Sequence, residues 1–154
     1  MIKLNAYGLI VMKEKRKILY IVEATLKTGA GKCAIELILR VQNSAEFTPV
    51  VITQLPNDIN DFCSKIGIEN YSANYARTCS LDMKGLGRLF FFLIRPFLNR
   101  FALKKIKKKL DLSQICLIHS NAISIDFGAF LHKKTHIPHI WHVRDFLIFE
   151  KKWH

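Results

Sequence analysis

Four short apolar runs, rich in β-branched and aromatic residues, punctuate the chain: Lys17–Val22 (KILYIV), Phe47–Thr53 (FTPVVIT), Ile115–Ile118 (ICLI) and His139–Val143 (HIWHV). Each reads as a strand, and the length and two-sided apolarity of Lys17–Val22 suit a strand buried inside a parallel sheet. Helical patterns lie between them. In Cys33–Gln42, the polar residues Lys32, Glu36, Arg40 and Asn43 draw one narrow wet stripe along an otherwise apolar helix. Over Asp58–Ile66, the residues Ile59, Phe62, Cys63 and Ile66 recur at i, i+3, i+4 and i+7, and Gly67 stands where a helix closes. A long helical stretch is predicted over 84–110, kinked or split at Pro96. Ser124 is placed to cap a helix running to Thr135, and Pro138 opens the last strand. Residues 68–83 predict a short strand and a loop, while Pro49 places the start of its strand near an edge or bend. Strands alternating with helices give an α/β fold, a Rossmann-like parallel sheet flanked by helices. Residues 1–16 form an unassigned lead, and 17–154 form one domain.

Half of the chain is hydrophobic and 23% is charged, which excludes intrinsic disorder. The 24 Lys and Arg outnumber the 12 Asp and Glu, a formal net charge of +12, so an anionic partner is expected: nucleic acid, membrane surface or a phosphate-bearing substrate. Cys33, Cys63, Cys79 and Cys116 form no C-x-x-C pair, which argues against a thiolate zinc site or a thioredoxin-type motif. Residues 1–11 lack the basic start and small-residue cleavage site of a secretory leader. No run reaches about 18 uninterrupted apolar residues, the length a spanning helix needs. The sequence reads as cytoplasmic.

Ligands of parallel sheets gather at the carboxyl ends of the strands. Here those ends are Glu23–Lys32, Thr53–Asn57, His119–Asn121 and His142–Asp145. In the first, Gly29-Ala30-Gly31-Lys32 invites a phosphate-binding reading. It is not a Walker loop, because Leu26 stands where that motif needs glycine and Cys33 where it needs Ser or Thr. Gly29-x-Gly31-x-x-Ala34 does fit the spacing of a dinucleotide fingerprint, although Glu23–Thr28 separate it from the strand and no acid ends the second strand. Close packing of the helix on the sheet is the other reading of these glycines.

Five of the six histidines fall between 119 and 142. His132 and His136 share a helix face, but Lys133 and Lys134 between them repel a cation, so no metal is expected. His119 and His142 each end an apolar run, where an imidazole can hydrogen-bond a substrate hydroxyl near neutral pH. Arg144 and Asp145 back His142. Between Lys84 and Leu110 lie nine basic residues and no acid: Lys84, Arg88, Arg95, Arg100, Lys104, Lys105, Lys107, Lys108 and Lys109. Leu and Phe recur among them at helical spacing, which predicts a basic face beside an apolar face, the pattern of an interfacial helix on anionic lipid. The stretch lacks the base-reading Arg and Asn pattern and aromatic platforms of nucleic-acid recognition.

Together, Lys17–Val22 followed by Thr28-Gly-Ala-Gly31, then Ile118-His-Ser-Asn121, then Ile137-Pro-His-Ile-Trp-His-Val-Arg-Asp145 resemble the N-terminal half of a family 4, GT-B-type bacterial glycosyltransferase. The resemblance covers about residues 17–147 and implies an incomplete GT-B N-terminal, acceptor-side domain that leans on the membrane, at the inner face of the cell membrane. By it, the backbone of Gly29, Ala30 and Gly31 approaches the diphosphate of a nucleotide-sugar donor, and no cofactor or metal is needed. His142 touches the acceptor or the transferred sugar and carries the catalytic assignment. His119 and Asn121 line the acceptor side, and Arg144 and Asp145 shape the floor of the cleft. The acceptor is a lipid-linked sugar or a polysaccharide. Alanine between the glycines departs from the family's usual Gly-Gly, and nothing resembling the donor domain with its paired glutamates precedes His154. The expectation is a chain inactive alone, needing a donor-binding domain or subunit. A non-catalytic membrane-associated module, or the membrane subunit of a split transferase, is the alternative.

Overall fold

The computed structural model describes residues 3–4, 10–11, 15–77, 86–122 and 124–143. A minimal antiparallel pair, β1 (Lys3–Leu4) and β2 (Ile10–Val11), precedes the main sheet. Then follow β3 (Arg16–Val22), α1 (Gly29–Gln42), β4 (Phe47–Thr53), α2 (Asp58–Lys65) and β5 (Glu69–Ser72). The chain continues through α3 (Leu86–Lys107), a single 3₁₀ turn (Leu112–Gln114), β6 (Ile115–Ser120), α4 (Phe127–Thr135) and β7 (His139–Trp141). Five strands form one parallel sheet in the order β5-β4-β3-β6-β7. From β3 the chain steps outward through β4 to β5, then returns past β3 to β6 and β7, so the order reverses between β3 and β6.

Helices cover both faces of β3 and β4, which is why those strands are apolar at successive positions. Leu19, Ile21, Val50, Ile52 and Ile118 pack with Ala102, Ile106 and Leu110 of the α3 region and with Phe127 and Leu131 of α4. On the other face, Ile18, Tyr20, Val22 and Val51 meet Ala34, Ile35 and Ile38 of α1 and Ile59 and Cys63 of α2. Each large side chain buried this way contributes about 1.5–3 kcal/mol. Pro49 does not mark an edge of the sheet, because β4 runs between β3 and β5. Its partner β5 pairs only with Val50–Thr53, so the missing N–H of Pro49 falls just beyond that ladder.

The Gly-Ala-Gly segment is the first turn of α1 and not a loop. Thr28 caps the helix, its Oγ1 accepting from the Gly31 N–H at 3.1 Å. Lys32, Glu36, Arg40 and Asn43 are all exposed, as the wet stripe requires. A Cβ on Gly31 would overlap the carbonyl oxygen of Thr25, which is backbone and cannot swing away, whereas one on Gly29 would meet nothing within 4 Å. Gly31→Ala is therefore expected to destabilise the chain by about 1–3 kcal/mol. Gly29→Ala should leave stability unchanged or raise it by about 0.5 kcal/mol. Thermal melts of the two variants check the pair, and equal melting points would refute the packing role of Gly31.

Asn57 and Asn60 form a reciprocal capping box at the start of α2, and Gly67, at φ 73°, turns the chain out of it. Helix α3 continues through Pro96, which is exposed, so the expected split does not occur. Ser124 does not cap α4. That helix begins after Asp126, while the Ser124 hydroxyl donates to Glu23 Oε2 at 2.7 Å, drawn by a carboxylate at the end of the central strand. Cys33 is exposed, Cys63 buried and Cys116 intermediate, all free thiols.

Candidate functional site

The carboxyl ends of β3 and β6 lie side by side where the strand order reverses. Backbone pairing continues past the ends of β6 and β7, with Asn121 N–H donating to Ile21 O at 3.0 Å and His142 N–H to Ser120 O at 2.9 Å. His119 belongs to the interior of β6 and does not end the strand. It is 8% exposed and lies in register beside Tyr20, the two rings 5.1 Å apart. Burial pushes the Tyr20 phenol up to about 12, so it stays neutral at physiological pH. The His142 ring meets the His119 ring edge-on, at 5.5 Å and 83°.

Two residues beyond His119, on the same face, Asn121 is 2% exposed and donates through Nδ2 to the Ala30 carbonyl at 3.3 Å. Its Oδ1 is buried with no hydrogen-bond partner among the described residues. The first turn of α1, His119, Asn121 and His142 thus converge on one face of the sheet at its carboxyl edge. Two amino-end donors of α1 are already engaged, Gly31 N–H by Thr28 Oγ1 and Lys32 N–H by Thr28 O. A ligand would meet this turn at its exposed tip, Gly29. Lys84, Cys79, Arg144 and Asp145 lie outside the described residues.

A polar cluster at the same edge was not singled out from the sequence. Glu23 follows β3 directly, and its carboxylate is ion-paired with Arg77 as well as bonded to Ser124. Beside it, the Tyr75 ring stacks on Phe127 at 4.8 Å. Burial and then the nearby Glu23 charge push the Tyr75 hydroxyl pKa up, partly offset by Arg77. The signal for Glu23 was an acid directly after a buried central strand; Arg77 and Tyr75 carried none.

On the opposite face, His139 Nε2 sits 2.9 Å from Ser120 Oγ, and burial followed by the charge of His132 lowers its pKa. His132 Nδ1 lies 2.8 Å from the Ile137 carbonyl, and His136 takes the left-handed C-cap of α4, at φ 60°. Among the described residues no group of three or more His, Cys, Asp and Glu side chains could hold a metal ion. A recess of about 390 Å³ between Lys15, Arg16 and Ser113–Cys116 lies at the amino ends of the strands, the opposite end from the convergent residues.

Helix α3 reaches the same carboxyl edge. Arg95 is ion-paired with Asp126, just before α4, and Asn99 Oδ1 accepts from the Ala76 N–H at 2.9 Å. Below these ties, Ala102 and Ile106 enter the core. Residues 86–94 precede the first tie and overhang the sheet by about 13 Å at the helical rise. This overhang is apolar nearly all round, with Leu86 85%, Leu89 58%, Phe90 63% and Leu93 64% exposed.

The expected side-by-side basic and apolar faces are not what the helix shows. One outward row runs Leu86, Phe90, Leu93, Phe97, Phe101, Lys104, so apolar and basic character separate along the axis. Arg100, Lys104, Lys105, Lys107, Lys108 and Lys109 are exposed, and Arg88 lies in the first turn of α3. Arg95 leaves the outward set because Asp126 holds it, its side chain only 19% exposed. Among the described residues no helix is long and apolar enough to cross a membrane.

No family model matches the sequence, and no curated protein matches it. Among solved structures the fold is similar to that of Acinetobacter baumannii MurG, a GT-B glycosyltransferase, with a TM-score of 0.53 and 12% sequence identity. The match covers 84% of this chain and 35% of that one, so the chain spans about a third of the length of MurG. The parallel sheet and its flanking helices are the α/β, Rossmann-like arrangement of part of a GT-B fold.

Proposed function

We propose that this chain is the acceptor-binding half of a glycosyltransferase that works at an anionic membrane surface. The observation that carries this reading is the meeting of His119, Asn121, His142 and the first turn of α1 at the reversal point of a GT-B-like sheet, on the edge past which α3 extends its apolar end. His142 hydrogen-bonds a hydroxyl of the acceptor or of the transferred sugar, and its edge-on contact with His119 sets the ring's direction. His119 and Asn121 line the acceptor side, where the buried Asn121 Oδ1 can accept a hydrogen bond from a hydroxyl. The turn at Gly29, Ala30 and Gly31 faces the diphosphate of the donor.

The donor, a nucleotide-sugar, is held by a second domain or subunit, and the chemistry requires no cofactor. The acceptor is lipid-linked or a saccharide at the membrane, reached because Arg100, Lys104, Lys105, Lys107, Lys108 and Lys109 meet anionic headgroups while the α3 overhang enters the apolar layer. Nucleic acid is not its partner. On this reading the chain works at the cytoplasmic face of the membrane.

His142→Ala, made in the complete enzyme with its donor-binding part, tests the assignment. Sugar transfer should fall by about 100-fold or more, as for loss of a positioned proton-transfer or hydrogen-bonding group. An unchanged rate would sink the catalytic-cleft reading and leave a non-catalytic membrane module.

A further inference from the structure

Glu23 and Arg77 sit at the reversal point without a part in the reading above. Glu23 leaves β3 at its carboxyl end, and its side chain is only 11% exposed. Both of its oxygens are used: Oε2 accepts from Ser124 Oγ of the loop after β6, and Oε1 meets Nε of Arg77. Arg77 comes from a segment tied down on several sides. Ala73 N–H donates to Thr53 O at 3.0 Å, Gln54 Nε2 to Tyr75 O at 2.8 Å, and Ala76 N–H to Asn99 Oδ1 at 2.9 Å.

The pair is lopsided. The anion is buried, while 52% of the arginine side chain is exposed. A guanidinium docked through Nε still carries its two terminal nitrogens, a planar fork that fits two oxygens of one phosphoryl group. Of the other charges at this edge of the sheet, Asp126 is already paired with Arg95, while exposed Lys27 and Lys32 stand at the amino end of α1 with Asp58, which accepts from the Leu26 N–H.

We propose that Arg77 contacts a phosphoryl group of the ligand at this crevice, with Glu23 as its positioning residue. The ligand class is a phosphate or diphosphate ester. Under the transferase reading, on which its biological source rests, the ester belongs to either a lipid-linked acceptor or a nucleotide-sugar donor.

Titration calorimetry on the full chain with farnesyl diphosphate, farnesol and UDP tests the proposal. The wild-type chain should bind one of the diphosphates, with an affinity that falls at least tenfold in Arg77→Ala and recovers only partly in Arg77→Lys, which lacks the fork. Dependence seen with farnesyl diphosphate and not farnesol assigns the acceptor, and dependence seen with UDP assigns the donor. The double variant Glu23→Gln/Arg77→Ala leaves no buried unpaired carboxylate and separates lost binding from lost folding. Glu23→Gln alone removes a negative charge, so charge alone would make it bind a diphosphate more tightly; positioning makes it bind several-fold more weakly, with farnesol unaffected. Tighter binding by Glu23→Gln overturns the positioning role. A wild-type chain that binds neither diphosphate, or a double variant that binds like the wild type, overturns the proposal. No sugar transfer is required, so this result and that of His142→Ala stand or fall separately.

Discussion

Serine in place of Leu89, Phe90 and Leu93 is expected to cut binding of the chain to anionic vesicles by roughly a thousandfold, with the melting point unchanged. These side chains are 58%, 63% and 64% exposed, so the folded chain does not depend on them. If lipid buries them, each supplies about 1.5–3 kcal/mol of transfer free energy. Glutamine at Lys104, Lys105, Lys107, Lys108 and Lys109 removes attractions of about 1 kcal/mol each, which are felt within a Debye length and fade in salt. The two variants should therefore differ in kind. The serine variant loses binding at every ionic strength, while the glutamine variant loses it most clearly at low salt. Co-sedimentation at two salt concentrations reads both. A serine variant that still sediments with vesicles like the wild type would remove the overhang from the membrane reading.

Arg95→Ala should unfold the chain far more readily than any change on the outer row of α3. It strands Asp126, whose side chain is 16% exposed and whose Oδ1 already lacks a hydrogen-bond partner. Breaking a buried pair from one side costs about 3–5 kcal/mol, against 0–1 kcal/mol for an exposed pair. For a chain of this size the melting point should drop by on the order of 10 °C. Asp126→Asn added to Arg95→Ala should restore much of the loss, since no bare carboxylate then remains. A single-variant drop below about 1 kcal/mol would mean that the pair behaves as a surface contact.

The fold was legible where burial acts on both faces of a strand. Lys17–Val22 and Phe47–Thr53 have no polar side towards water and match β3 and β4, apart from Arg16. Reading failed where a polar group had a distant partner. Ile115–Ile118 stops short of β6 because His119 and Ser120 look like a strand end, yet one lies tilted against the Tyr20 ring and the other bonds His139. Ser124 looks like a helix cap until Glu23, 101 residues earlier, takes its hydroxyl. Arg95 counts with the basic surface residues until Asp126 arrives from α4.

The same limit applied to the site. Gly29–Gly31, His119, Asn121 and His142 all follow or complete apolar runs, so position along the chain exposed them. Arg77 follows no such run, and the strand end it serves became visible only when β3, β6 and the 73–77 segment were brought together. Around a helical wheel, the leucines, phenylalanines and lysines of α3 blur into two neighbouring faces. Their order along the axis emerges only once Arg95 and Asn99 show which end is anchored.

That anchoring has a mechanical side. The ties at Arg95 and Asn99 run to the segments carrying Ser124 and Arg77, and the first turns of the helix lie beyond them. Such an arm is a spacer. Its length sets how high the crevice stands above whatever takes up its apolar tip. Head groups much shorter than that height would stay out of reach, and chain length, as well as chemistry, would then select the ligand.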